Sequence, residues 1–257
     1  MYGLGYFYGI DMAYIVLVLP ALIFAMYAQS KVNTTFKKYS TVGNKHGYTG
    51  ADVARRILDM NGLNNVLIER VSGNLTDHFD PRTNIVRLSD STYSSTSVAA
   101  IGVAAHEVGH AIQHAVGYTP IKIRNAIVPV VQIASYAAWP LAILGIIMSF
   151  SSLANLGVIL FGLVVLFQLI TLPVEFNASN RALATLGNNG ILDDEELSAS
   201  KKVLSAAAMT YVASAAVAIA NLLRLLSIVG GGRNRDYHGD FKGYDCKRGC
   251  FKGTLQY

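Results

Sequence analysis

The sequence predicts an α-helical integral membrane protein with three or four transmembrane helices and a small cytoplasmic α/β insert. Three observations carry that expectation. Only 14% of the 257 residues are charged and 52% are hydrophobic, with a mean hydropathy of +0.37, whereas a soluble domain carries about 25% charge. Residues 125–174 contain no Asp, Glu, Lys, Arg or His. As one helix that run would be about 75 Å long, more than twice a bilayer core of about 30 Å, so it must fold back on itself. The basic residues lie in blocks that alternate with the apolar runs, as membrane topology demands. The low charge excludes a disordered chain. The net charge of +5 is dispersed, which excludes a nucleic-acid footprint. Two cysteines, Cys246 and Cys250, stand close to the C-terminus and supply no disulfide framework.

The first span is Met12–Ala28, bounded by Asp11 and Gln29. Its N-terminal flank has no Lys or Arg, whereas Lys31, Lys37 and Lys38 follow it. A signal peptide carries its charge before the apolar region, so this is expected to be an uncleaved anchor (10–29) with its N-terminus outside. Tyr2, Tyr6, Phe7 and Tyr8 before it form an interfacial aromatic belt.

The insert, 30–124, carries eleven Lys/Arg up to residue 126 and is placed in the cytoplasm. Thr49-Gly50-Ala51-Asp52 is a helix-start box, followed by an apolar stripe at Val53, Ile57 and Leu58 and a stop at Asn61-Gly62. Val66–Val71 reads as a strand. Leu75–Phe79 and Ile85–Leu88 flank a turn at Asp80-Pro81-Arg82-Thr83-Asn84. Ile85–Leu88 has two readings: an edge open to a substrate by strand addition, or a core strand. A second helix runs from about Ser97 to Val116.

The long run turns at Ser149-Phe150-Ser151-Ser152 and Asn155, which leaves spans near 127–148 and 154–174. The uncharged turn lies outside, and 175–202 returns inside with Arg181, Lys201 and Lys202. Val203–Leu223 is uncharged and rich in Ala and Ser, with Arg224 behind it. It is either a fourth span or a helix lying against the others. The third unit is 125–229, and the glycines Gly230-Gly231-Gly232 just after it mark the expected end of the fold. The polar tail, 230–257, would then lie outside if the fourth helix crosses, although 233–257 holds six Lys/Arg against three Asp.

The chemistry lies in His106-Glu107-Val108-Gly109-His110. Residues four apart share a helix face, so both imidazoles can reach one metal ion, and Glu107 is placed to reach a metal-bound water. Zinc held this way keeps an open position and lowers the pKa of its water towards about 7. Glu107 can then take the proton as the water attacks a peptide carbonyl and pass it to the leaving amine. A chance match is the rival reading, but this motif sits in an otherwise apolar helix, where charged groups do not go unpaired.

A peptidase needs a third protein ligand. His114 continues the series, yet eight residues separate it from His106, about 12 Å along the axis, too far for one ion. His114 is therefore read either as a neighbour of the site or as a surface residue. A metzincin would have Gly at 113 and His at 116; Gln113 and Val116 exclude that class. Glu175, the first charge after the fifty uncharged residues, ends the third span on the face where the zinc helix enters the second. It is either the ligand or an interfacial carboxylate that reaches for water.

Three segments together resemble a known family: His106–His110 with Gln113-His114, Leu75-Thr76-Asp77-His78-Phe79-Asp80-Pro81-Arg82, and Glu175-Phe176-Asn177-Ala178-Ser179. They resemble the YugP-type bacterial membrane zinc metallopeptidases over roughly residues 10–232. That family is similar in turn to the HtpX-type membrane proteases, gluzincins whose third ligand is a Glu. The resemblance implies a zincin-like catalytic insert, one zinc ion per chain and Glu175 as the third ligand. It also puts Ser179 where HtpX-type enzymes have an Asp beside a ligand His, so the ring is oriented without that charge.

Around this centre, Ser179, Asn177, His114, His78 and Arg181 are the residues expected to support the ligands or the transition state. Arg87 and Tyr93 are further options for the oxyanion. Cys246, Cys250 and His238 could form a metal site in the tail, but a single Cys pair is weak and an unstructured tail is the simpler reading. The expected function is a zinc metalloendopeptidase of the bacterial plasma membrane, with its active site on the cytoplasmic side. Its partners are the lipid bilayer and membrane-associated protein or peptide substrates, not nucleic acid. The alternative is a non-catalytic zinc-binding scaffold or adaptor, although a structural site would be closed by four ligands, typically with Cys. A transporter is disfavoured, because the long spans lack ionisable residues and no inverted repeat is visible.

Overall fold

The computed structural model describes the backbone of residues 11–239, with side chains described to Gly230. The early aromatic residues and the Cys246/Cys250 pair lie outside the described residues, as do the side chains of the tail. Among the described residues, four helices are long and apolar enough to cross a membrane. The first begins with a π turn, Tyr14–Val18, and continues as α1, Leu19–Tyr39. After the insert come α5 (Thr119–Ile147), α6 (Ser151–Asn188) and α7 (Asp194–Gly239). Every one of them runs well past the apolar stretch that marks it in sequence. Hydropathy registers the part that lipid covers, whereas the backbone continues wherever packing and helix-forming residues support it. Thus α6, with 38 residues, is about 57 Å long and projects far beyond a bilayer core. Likewise α7 continues through Gly230–Gly232, where the sequence suggests an end.

The fourth apolar stretch runs alongside the first helix. At one end Lys202 Nζ lies 5.9 Å from the Tyr39 ring of α1. At the other, Arg224 Nε donates to Asp11 Oδ2 at 3.2 Å. The 22 residues between these contacts make about 33 Å of helix, the thickness of a bilayer core. Close packing joins α5 to α6 through small residues: a Cβ on Gly157 would sit 2.7 Å from Ala138 O, and one on Gly145 would strike the Ala154 backbone. Pro129 and Pro140 are accommodated inside α5, as membrane helices allow.

The insert follows its sequence closely. Thr49 caps α2 (Gly50–Met60) in a capping box with Asp52, and Asn61 ends it before Gly62, at φ +69°. Strands β1 (Leu67–Val71), β2 (His78–Asp80) and β3 (Ile85–Ser89) form one sheet in the order β1-β3-β2. β1 runs parallel to β3, and β2 antiparallel to it. This corrects one reading: Ile85–Leu88 is no edge. Both its sides are paired and Ile85, Val86, Leu88 and Ser89 are buried, so β1 and β2 hold the edges instead. β2 is also shorter than Leu75–Phe79, because Leu75 takes a positive φ and Asp77 accepts hydrogen bonds from Ser89 N and Oγ, both at 2.8 Å. A one-turn helix α3 (Asp90–Tyr93) leads to α4 (Val98–Ala115), capped by Ser97 Oγ on Ala100 N at 3.2 Å.

The insert does not enclose its own core. Ile57, Leu58, Val86, Leu88, Val98 and Ile101 pack in one cluster with Ala182 and Leu186 of α6, Ile191 of the turn after it and Leu204 of α7. That shared core holds α4 against the projecting ends of both membrane helices.

Candidate metal centre

Small residues let α4 approach its neighbours. A Cβ on Gly109 would lie 2.8 Å from Ala178 O of α6, and one on Gly102 would lie 3.3 Å from the Ser200 side chain of α7. Ser200 Oγ also donates to Val98 O at 2.7 Å. At this approach one face of α4 meets the stretch of α6 that begins at Val174. His106 and His110, one turn apart, present their rings edge to face at 4.7 Å. Glu175, only 2% exposed, reaches between them: its Oε2 is 3.3 Å from His106 Nε2 and 3.4 Å from His110 Nε2. One donor atom from each of the three residues lies within 4.8 Å of the other two.

The far side of each ring is held. His110 Nδ1 is 3.0 Å from Gln113 Oε1. The Gln113 amide donates from Nε2 to Val174 O at 2.8 Å and to Asn177 Oδ1 at 3.0 Å, which leaves its oxygen to accept. His110 therefore carries its proton on Nδ1 and offers Nε2 towards Glu175. His106 Nδ1 lies 3.1 Å from Ser179 Oγ, which orients its Nε2 the same way. Burial by itself pushes the His110 imidazole down; the carboxylates of Glu175 and Glu107 and the Gln113 contact outweigh it and hold the ring above its ordinary value. The pocket thus favours positive charge where the two Nε2 atoms converge. Two imidazole nitrogens and one carboxylate oxygen match the ligand set of catalytic zinc, with a fourth position left for water or substrate.

A cleft of about 160 Å³ adjoins the cluster, lined by Glu107, His110, Glu175, His78, Arg124 and Tyr211 among others. Glu107 is half-buried at its wall. His78, on the β2 edge, lines it too, its Nδ1 2.9 Å from Thr76 O. The other expected residues lie elsewhere. His114 is exposed, its ring 5.9 Å from Phe79. Arg181 donates to Asn177 Oδ1 at 2.8 Å and so braces the Gln113 network at one remove. Arg87 pairs with Glu69 and Asp80, and Tyr93 packs against the insert core.

Three residues escaped the sequence reading. Gln113 orients His110, and its position three residues after a ligand on the buried face was the available signal. Arg124 Nη1 approaches Glu175 Oε1 at 3.6 Å. It is the last charge before the uncharged run that Glu175 ends, so the two bracket the hairpin in sequence. Tyr211 enters the cleft from α7, a lone aromatic in a stretch of small residues.

Fold and site together define a helical membrane protein with a His/His/Glu cluster able to hold a metal ion at the junction of its insert and its spans. Residues 14–230 match the family described as "Putative neutral zinc metallopeptidase". The chain is 48% identical over 225 residues to the "Putative membrane protease YugP" of Bacillus subtilis (strain 168), covering 88% of this chain and 100% of that relative. No solved structure matches. The chain belongs to the YugP-type zinc metallopeptidase family.

Proposed function

We propose that the protein is a zinc-dependent membrane metalloendopeptidase that hydrolyses peptide bonds in membrane or membrane-proximal proteins. One observation carries the reading: His106, His110 and Glu175 converge beside a cleft whose wall holds Glu107. His106, His110 and Glu175 would hold one zinc ion, which supplies, when bound, the Lewis acidity that makes a water nucleophilic near neutral pH. Glu107 takes the proton from the attacking water and returns it to the leaving amine. Ser179 and Gln113, with Asn177 behind it, keep the imidazoles in the ligating tautomer. Among the described residues the outer side of β2 is unpaired, and residues of β2 line the cleft, which suits an extended peptide.

The division into an anchor (10–29), a catalytic insert (30–124), a membrane unit (125–229) and a tail belongs to the same proposal, with one amendment. The residues that complete the insert's core, and the third ligand itself, come from the membrane unit. A cytoplasmic site follows from the Lys/Arg excess on the insert side. Because Glu175 ends the apolar stretch of α6, where that helix leaves the bilayer, the cleft opens at the membrane surface, where a membrane-anchored segment can enter.

The test is cleavage of casein by purified, zinc-loaded protein in detergent, wild type against Glu107→Gln, with bound zinc measured in both. The expected result is equal zinc content and a loss of roughly 10²–10⁴-fold in rate for the variant. Equal cleavage by both would remove Glu107 from the role of base. Zinc binding without any cleavage by the wild type, on casein or on a membrane substrate, would favour a zinc-holding scaffold.

A further inference from the structure

We propose that the groove between the C-terminal end of α1 and the N-terminal part of α7 binds the phosphate of an anionic phospholipid headgroup. This inference does not depend on the peptidase reading. The groove has a volume of about 660 Å³, ample for a headgroup, and four lysines line it: Lys31 and Lys38 from α1, Lys201 and Lys202 from α7. No carboxylate lines it, and among the described residues none of the four is in an ion pair. By contrast, Lys45, Arg55, Arg70, Arg87, Arg124 and Arg224 each have an acidic partner. Four like charges brought together by two packed helices repel one another unless an anion lies between them. A lysine ammonium is a point charge suited to phosphate, and the hydroxyls of Thr35, Ser198 and Ser205 add donors.

The groove is built rather than incidental. Its back wall is Tyr39, half-buried, with Lys38 Nζ 5.4 Å and Lys202 Nζ 5.9 Å from the ring. Behind Tyr39, Phe36 of α1 and Val203 of α7 pack with Ala99 of α4 in a buried cluster. These contacts fix the spacing of the two helices that carry the lysines.

Its position selects a lipid over free phosphate. Towards the bilayer the lining changes to Ala206 and Met209. Beyond that the exposed surface is apolar on both helices, with Met26, Ile23 and Leu19 on α1 and Val212 and Ile219 on α7. A phosphate among the lysines therefore sits at the end of two helices whose membrane-spanning parts carry exposed, acyl-compatible side chains, where basic pockets between membrane helices recognise anionic lipid.

The experiment uses the full chain in a neutral detergent, titrated separately with dioleoylphosphatidylglycerol, dioleoylphosphatidylcholine and sodium phosphate, with bound molecules counted by native mass spectrometry. Two double variants remove equal charge: Lys38→Gln/Lys202→Gln in the groove, and Lys37→Gln/Arg82→Gln outside it. All four residues are exposed, so both variants should fold, and thermal unfolding in phosphatidylcholine micelles checks this. We expect one phosphatidylglycerol retained per chain, over phosphatidylcholine, with affinity reduced roughly tenfold or more in the groove variant and unchanged in the other. Equal losses in both variants would overturn the proposal by showing diffuse attraction. Binding of inorganic phosphate as strong as that of the lipid would overturn the lipid assignment. No preference for phosphatidylglycerol over phosphatidylcholine would overturn both.

Discussion

The insert and the membrane hairpin are held together by opposite means, and the metal centre lies where they meet. In the insert, large aliphatic side chains such as Ile57, Leu58, Leu88 and Ile101 are fully buried, and their removal from water drives the packing. In the hairpin the tightest buried positions are small, Ala138, Ala142, Ala154 and Gly157, with Phe161 and Val165 packed beside them, while large residues such as Ile133, Ile147, Ile159 and Leu166 face outward. Lipid is as apolar as leucine, so burying leucine there brings little; close van der Waals approach of backbones brings more. The insert is therefore sensitive to lost volume and the hairpin to added volume. At Gly109 on Ala178 the two regions touch with the tolerance of the hairpin.

Leu88→Ala, in the fully buried central strand, should cause the largest loss, about 2–5 kcal/mol, read from chemical or thermal unfolding in detergent. A loss as small as that of an exposed hairpin leucine would show that the insert is not packed by volume. Gly109→Ala should come next. Its Cβ meets a backbone oxygen that cannot swing aside, so α4 is displaced from α6 and zinc affinity should fall roughly 10–100-fold, as when a ligand's support is lost. Unchanged zinc binding, measured by competition with a chelating dye, would mean that the seam can yield.

Gly157→Ala tests the hairpin from the other side. One methyl added where Ala138 O and Ala142 N stand 2.7 Å away should cost about 1–3 kcal/mol. Leu166→Ala, 49% exposed to the lipid side, should change stability by no more than about 0.5 kcal/mol. If the order of these two is reversed, the small-residue account of the hairpin is wrong.

The smallest effect concerns the turn before β3. Hydrogen bonds from the Thr83 hydroxyl and Arg82 N, with the Arg87 guanidinium, hold Asp80 down at about 2, below its ordinary 3.8. A depressed carboxylate contributes stability above its unfolded pKa, and that contribution is lost as pH falls from about 4 through 2. The metal-free protein should show a slightly shallower fall in Tm over that window when it carries Asp80→Asn. An identical slope would mean that the turn frays before the rest of the insert unfolds.

Much of this was legible in the chain. The capping box at Thr49, the stop at Asn61-Gly62, the β2–β3 turn and the His106–His110 pair are local devices, decided by residues within a turn or two of each other. The ends of the long helices were not legible, because hydropathy reports lipid contact and falls silent where α6 and α7 leave the membrane to pack on the insert. Gln113 and Tyr211 went unread for a related reason. A buried glutamine or a single tyrosine has no meaning until the partner across the helix interface is known.

The sequence by itself determined three of the four apolar helices, the three strands and a helix with two imidazoles on one face, since each follows from short-range periodicity and transfer from water. Only the tertiary structure decided that Glu175 lies between those imidazoles, 69 positions further along the chain. It likewise decided that Ser179 and Gln113 hold the rings and that four lysines from two helices line one groove. Those arrangements depend on how closely helices approach, which is set by glycine and alanine at positions far apart in the chain.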